Sequence, residues 1–229
     1  MTAPLTIAID GPSGSGKSSV SKAVARRLGV GYLDTGAMYR ALTWWCLERG
    51  LDLTDTDAVA AAARDLPLEI GTDPDAPSVS VDGSDVSEAI RTTEVSTAVS
   101  AVATNLGVRP VLQRLQRDLM ARIAVETGGV VAEGRDITTV VAPDARVRVL
   151  LTASEEARLR RRSAELHGTT DASAVEATRD QVVRRDRDDS AVSTFTEAAE
   201  GVVLVDTSDL DFDESVEAVL DVVAAETSQ

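Results

Sequence analysis

The chain has 229 residues, with 23 Lys and Arg against 38 Asp and Glu and a formal net charge of -15. That length suits one sizeable α/β domain with an insertion. The acidic balance excludes non-specific binding to a nucleic-acid polymer or an anionic membrane. No apolar run is long enough for a membrane helix, no signal segment opens the chain, and a single cysteine, Cys46, excludes an internal disulfide, so a cytoplasmic protein is expected.

In chain order, the first element is "IAIDGPSGSGKSSVSKAVARRLG", residues 7–29. It reads as a buried strand, a glycine-rich turn and a helix. The turn fits G-x-x-x-x-G-K-[ST], with Gly11, Gly16, Lys17 and Ser18 in place. The loop of Gly11, Pro12, Ser13, Gly14, Ser15, Gly16, Lys17, Ser18 and Ser19 is expected to cradle the phosphates of ATP with its backbone N–H groups, helped by the positive end of the helix. Lys17 reaches the transferable phosphates and the Ser18 hydroxyl can hold Mg²⁺. Lys17 is expected to face solvent in the free protein.

Apolar runs at 5–9, 31–33, 130–132, 147–151 and 202–205 predict strands, and helical patterns lie between most of them. That alternation predicts a parallel sheet covered by helices. "LDTGAMYRA", 33–41, falls where the second strand ends, near the sheet edge where ligands collect. Thr35, a flexible Gly36 and Arg40 would make a second anion cradle there. Cys46, beside Trp44 and Trp45, is expected to be a buried thiol on a helix.

Residues 65–93 break the rhythm. They are rich in Asp, Pro and Gly, and "SVSVDGSDV" alternates around Asp82-Gly83, a hairpin signal. We read them as a small antiparallel insertion, with 1–64 and 94–229 forming the core. Helices resume with "TEVSTAVSAVATN" and with "RPVLQRLQRDLMARIAVE", where Pro110 suits a first turn. The next strand ends "VVAEGRD" and offers Arg135 and Asp136; it is not the plain four-apolar-then-Asp strand of motors and pumps.

"ASEEARLRRRSAEL" starts a predicted lid, about 152–190, with Ser154 as its N-cap. Arg158, Arg161 and Arg162 share a helix face there and suit closure over a triphosphate. Further on, Arg185 and Asp189 stand one turn apart. The sole histidine, His167, sits at a loop tip and takes no role. "DFDESVEAVLDVVAAE" predicts a closing helix.

The phosphate loop alone leaves switch, motor, pump and kinase open. No Asn-Lys-x-Asp guanine signature follows it, and both lysines, Lys17 and Lys22, lie in the first helix. Arginines at two strand ends beside the loop favour a small-molecule kinase. Lys17, Arg135, Arg158 and Arg162 are the expected catalytic cations. If the acceptor is a nucleoside monophosphate, its second phosphate pKa of about 6 makes it a nucleophilic dianion at neutral pH. No strong general base is then needed.

"IDGPSGSGKS", "LDTGAMYR", "SEAIRTTEVS", "AEGRDITTVVAPDA", "LTASEEARLRRR" and "RRDRDDS" together resemble the bacterial cytidylate kinases, over nearly the whole chain. The resemblance implies a P-loop core with a five-stranded parallel sheet, a nucleoside monophosphate-binding insertion and a helical lid. It implies transfer from ATP to CMP or dCMP with Mg²⁺, by a monomer. It further implies that Ser100, Arg109 and Asp136 read the cytosine, that Arg40 and Arg135 hold the CMP phosphate, and that Thr35, Arg185 and Asp189 lie near sugar and phosphate. One departure stands out. Some members continue the last motif as D-S-x-R, where this chain has Val192, and the following "STFTEAAEG" lacks the Ser-Pro-Leu of many relatives. Arg184 or Arg187 is expected to take over the missing contact. A shikimate- or gluconate-type kinase and a non-catalytic nucleotide switch remain the alternatives.

Overall fold

A computed structural model describes residues 4–228, apart from the side chains of Asp180, Gln181 and Arg185. Strands β1 (Leu5–Asp10), β2 (Gly31–Asp34), β6 (Gly129–Gly134), β7 (Val147–Thr152) and β8 (Val203–Asp206) form one sheet in the order β2-β6-β1-β7-β8. Every pair in it is parallel, with Ile7 flanked by Val131 and Val147. This is the five-stranded parallel core expected from the apolar runs.

The strands are buried on both faces, and their alternation sorts side chains between two cores. Ile7, Ile9, Val131, Val149 and Leu151 point to a layer made by α1 (Lys17–Leu28) and α8 (Phe212–Thr227). Ala8, Leu33, Val130 and Ala132 point the other way, onto Met38 of α2 (Thr35–Glu48) and Met120 and Ile123 of α5 (Val108–Thr127). Cys46 lies fully buried on α2, and Pro110 sits in the first turn of α5, as expected.

Within residues 65–93, β3 (Leu68–Ile70), β4 (Val79–Val81) and β5 (Ser84–Asp85) form a three-stranded antiparallel sheet. Asp82 and Gly83 both have positive φ, 52° and 74°, the pairing that a two-residue hairpin turn requires. The small sheet shares a third apolar core with α2, α3 (Thr56–Arg64), α4 (Thr93–Ala103) and α5. Its long connection is also stapled to the core, because the Tyr32 amide of β2 donates to the Thr72 carbonyl at 2.9 Å and Arg26 of α1 pairs with Asp75.

The hairpin α6 (Glu155–His167) and α7 (Ala172–Ser190) lies over the carboxyl edge of the sheet. Ser154 caps α6 by accepting from the Ala157 amide, as predicted. Among the described residues no helix is long and apolar enough to cross a membrane.

Candidate functional site

The carboxyl ends of β1, β2 and β6 open into a cavity of about 460 Å³. One side of it is the loop after β1. Gly14 and Gly16 hold φ of 77° and 88°, where side chains are strained. A Cβ on Gly11 would lie 2.2 Å from the Leu151 carbonyl oxygen of β7, so this start of the loop admits only glycine. The amides thereby turn inward at the N-terminus of α1, a ready anion site. The Ser15 hydroxyl is buried there without a hydrogen-bond partner among the described residues.

The floor is acidic. Asp34, at the end of β2, caps α2 through the Ala37 amide at 2.8 Å and receives Arg40 at 2.8 Å and Arg91 at 3.8 Å. Burial opposes its charge, but Arg40, the Ala37 amide, Arg91 and Lys17 outweigh burial and hold the carboxyl below its ordinary range. Glu133, at the end of β6, is also buried. Burial and the Asp34 charge push its pKa up, against the pull of Lys17, Ser18 and Tyr32. The Tyr32 hydroxyl donates to Glu133 at 2.6 Å. Lys17 is therefore half-buried over two carboxylates and not solvent-facing as expected. The "VVAE" ending, set aside because it lacked the usual Asp, carries an acid beside the phosphate loop after all. Its signal was the apolar run itself.

Gly36 is also different from expectation. It lies in the first turn of α2, and a Cβ there would come within 3.2 Å of both Arg40 Nη1 and Asp34 Oδ1. Its part is to leave room for that ion pair, not to flex. Thr35 lines the cavity, but its hydroxyl is committed to the Glu133 carbonyl at 2.7 Å.

The far wall is built around Asp136. Arg109 Nη2 meets its Oδ2 at 2.7 Å and Gln113 Nε2 donates to the same oxygen at 2.8 Å. Arg109 also donates to the Ser193 hydroxyl at 3.1 Å and the Ala103 carbonyl at 3.2 Å. Gln113 follows Arg109 by four residues on α5, so helix periodicity could have found it. Next to Asp136, Arg135 pairs with Asp186 at 3.1 Å and Asp189 at 2.8 Å and lies 4.5 Å over the Phe195 ring.

The lid arginines do not act as one face. Arg158 pairs with Asp186 and donates to the Ser13 carbonyl at 2.9 Å. Arg161 donates to the carbonyls of Ser15, Thr207 and Leu210, which makes it an anchor of α6 on the core. Arg162 lines the cavity and pairs with Glu165 at 2.7 Å. Each of the three has its own internal partners.

Lys17, Thr35, Arg40, Arg109, Arg135, Asp136, Arg162 and Asp189 thus line one cavity, with Arg91 added to them. Ser100 does not. It lines a small adjoining pocket of about 20 Å³ with Ser96, Thr97 and Arg184. Arg187 is mostly exposed and paired with Asp188 at 3.4 Å, so neither Arg184 nor Arg187 lines the main cavity in place of the arginine absent at Val192. The Arg185 side chain lies outside the described residues.

A family model described as cytidylate kinase matches residues 7–225. A cytidylate kinase of Streptomyces avermitilis is 50% identical over 218 residues, covering 95% of this chain and 91% of its own. One of Cutibacterium acnes is 50% identical over 224 residues, 97% of each chain. A solved structure from Eubacterium ventriosum, described as an uncharacterized protein, shares the fold with a TM-score of 0.51 at 12% identity, covering 98% of this chain and 99% of that one.

Proposed function

The chain belongs to the cytidylate kinase family, and on that premise we propose that it moves the γ-phosphoryl group of ATP to CMP or dCMP, giving ADP and CDP or dCDP. The observation that carries the reading is the joining, in one cavity, of a phosphate loop and an ion-paired carboxylate suited to the cytosine edge. The donor loop, Gly11 to Ser19, takes the ATP phosphates. Residues 65–93 form the acceptor-side insertion of the core, and about 152–190 the lid.

Asp136 accepts from the cytosine 4-amino group. Uracil presents an oxygen there, which a carboxylate repels. Arg109 and Gln113 fix the orientation of the carboxylate. Arg40, Arg135 and Asp189 face the acceptor's phosphate and sugar. Arg40 is poised to exchange Asp34 for the incoming phosphate, with Arg91 beside it.

The acceptor needs no base, so the chain's work is alignment and charge neutralisation. Lys17, Arg135 and Arg162 line the cavity where the group transfers, Arg158 is held beside the loop on Ser13 and Asp186, and closure of α6 and α7 brings it to the transferring group and excludes water. Bound Mg²⁺ would neutralise phosphate charge, and Ser18 with Glu133 would hold it. The glycine cradle and the buried Ser15 hydroxyl fit a phosphate chain with its ion. The enzyme works as a cytoplasmic monomer.

A coupled ADP-release assay across CMP, dCMP, UMP, AMP and shikimate tests the reading. CMP and dCMP should turn over at least about tenfold faster than the others, the discrimination that one polar contact supplies. Equal rates across the acceptors would overturn it, as would ADP release independent of any acceptor.

A further inference from the structure

Asp186 has no role in the chemistry just described, yet it touches three parts of it. It stands on α7, and its side chain is 13% exposed. Oδ1 accepts from the Ser13 amide of the donor loop at 3.1 Å and meets Arg135 Nη2 of the acceptor side at 3.1 Å. Oδ2 pairs closely with Arg158 Nη1 of α6. Arg158 in turn donates to the Ser13 carbonyl, so Ser13 is gripped at both its amide and its carbonyl.

Two guanidinium groups pointed at one spot repel each other. A carboxylate between them removes that repulsion, and charge-assisted contacts to the planar guanidinium forks fix their orientation. Exposure decides whether such pairs matter. Freely solvated pairs contribute little, but Arg135, Arg158 and Asp186 are each only 13% exposed. Asp189 on the other fork of Arg135 and the Phe195 ring beneath it close the remaining freedom of that side chain.

We propose that Asp186 is a positioning residue for phosphoryl transfer: it latches the α6–α7 lid onto Ser13 and, with the same carboxylate, aligns Arg135 and Arg158. Lid closure and assembly of the two arginines are then one event. The inference rests on the proposed transfer reaction, which alone gives the arginines something to act on. Asparagine would keep the shape but lose the charge, and its amide would present a donor to a site that already supplies three. Glutamate would keep the charge but displace it by one methylene.

The test compares wild type with Asp186→Asn, Asp186→Ala and Asp186→Glu by steady-state kinetics in both substrates, and by hydrogen exchange of the free proteins. Misaligned arginines should lower kcat by about 100-fold in the Asn and Ala variants, the usual cost of a small misplacement. The CMP KM should rise by less than about tenfold, because Arg40, Arg109, Gln113 and Asp136 are untouched while only Arg135 is disturbed, so the loss falls mainly on kcat. Glu should restore part of kcat. Residues 154–190 should exchange faster in the free Asn and Ala variants. Wild-type kcat in those variants would overturn the proposal. So would a rise in CMP KM at unchanged kcat, a gain in rate with tighter ATP binding, or losses that merely track the folded fraction. Should the wild type itself fail to phosphorylate CMP, the underlying reaction is wrong, and the exchange comparison still decides the latch: unchanged exchange rejects it, faster exchange keeps it.

Discussion

Along β1, β6 and β7 nearly every side chain is buried among apolar neighbours, whereas α6 and α7 hold to the molecule largely through charge. The strands place Ile7, Ile9, Val130, Val131, Val149 and Leu151 at 0% exposure or close to it, except that charged Asp10 and Glu133 close the carboxyl ends. The lid helices bury only a few small or apolar groups, among them Ala157, Leu159 and Val182. What fastens them is Asp186 on Arg135 and the Ser13 amide, Arg158 on the Ser13 carbonyl, and Arg161 on three carbonyls. Apolar packing is non-directional, and a close-packed interior does not rearrange cheaply. Ion pairs are specific and exchangeable, since a phosphate can take the place of a carboxylate. The sheet edge is thus the fixed frame on which acids and cations are mounted, and the lid is the part whose contacts suit replacement by substrate.

The largest expected effect lies on the fixed side. Lys17→Ala should lower kcat by about 10³-fold or more, as loss of a preorganised charge at the transferring group does. The fold should survive, because Asp34 keeps Arg40 and Arg91. The measurement is single-turnover ADP formation with a melting curve alongside. Near wild-type turnover would remove the phosphate loop from the chemistry, and collapse of the fold would show that the acidic floor depends on this lysine for stability.

Asp136→Asn tests the opposite wall. CMP should lose about 100-fold in kcat/KM and UMP much less, because a buried specific contact is lost only for the first. Equal losses would recast Asp136 as a structural partner of Arg109 and Gln113. The contrast with the lid is direct: disturbing the reader should change base choice, and disturbing the lid should lower the rate for every base alike.

The frame and the lid also differ in how legibly the sequence encodes them. All five core strands are local runs of apolar residues, and the phosphate loop is a contiguous pattern whose glycines answer to backbone geometry. Asp82-Gly83 likewise carries its own hairpin. The lid helices were readable as helices, since Ser154 and the acids after it form a local cap. Their partners were not. The i, i+3, i+4 rule put Arg158, Arg161 and Arg162 on one face, but which carbonyls and carboxylates meet that face depends on residues more than 25 positions away, such as Asp186 and Thr207. Phe195, fully buried under Arg135, sits in a stretch with no periodicity at all. The resemblance implies Ser100 at the cytosine, yet on α4 it lines a side pocket with Ser96, Thr97 and Arg184, a placement that no motif records.

A third prediction uses acidity to separate frame from lid. Asp10, at the end of β1, accepts from the Ile137 and Thr138 amides at 3.0 and 2.8 Å and from the Thr138 hydroxyl at 2.6 Å. Burial nevertheless dominates and raises its pKa from 3.8 to about 6. The folded state therefore holds this proton more tightly than the unfolded chain. Asp10 should make stability fall as pH rises from about 4 to 6, with no further change from this group above that window. Asp10→Asn should remove that slope, a difference of a few degrees in Tm between pH 4 and 7. An unchanged slope would place the titration elsewhere on the frame. The exposed ion pairs of the lid should contribute little to it, and salt should shift them instead.

The smallest effect is expected at Val192. Val192 stands just after α7, half-buried, with its amide on the Asp189 carbonyl at 3.2 Å. An arginine there would add one cation to a cavity already lined by Arg40, Arg91, Arg109, Arg135 and Arg162. Of these, Arg40 and Arg91 converge on Asp34, so the acceptor side already holds positive charge in reserve. Arg187 is 76% exposed with Asp188 as its partner, and Arg184 faces the side pocket, so neither is placed to substitute. Val192→Arg should therefore lower the CMP KM by only about two- to fivefold, below the roughly tenfold or more that a new charge-assisted contact to an unsatisfied phosphate would give. Arg187→Ala should leave the CMP KM within about twofold, as exposed charges generally do, while Arg91→Ala should raise it several-fold more. A tenfold fall on Val192→Arg would mean that the acceptor phosphate is under-held and that Arg91 does not reach it. A large rise on Arg187→Ala would mean that α7 turns on closure and brings that arginine inward, which would make the lid more mobile than the Arg135–Asp186 ion pair and the hydrogen bonds to Ser13 imply.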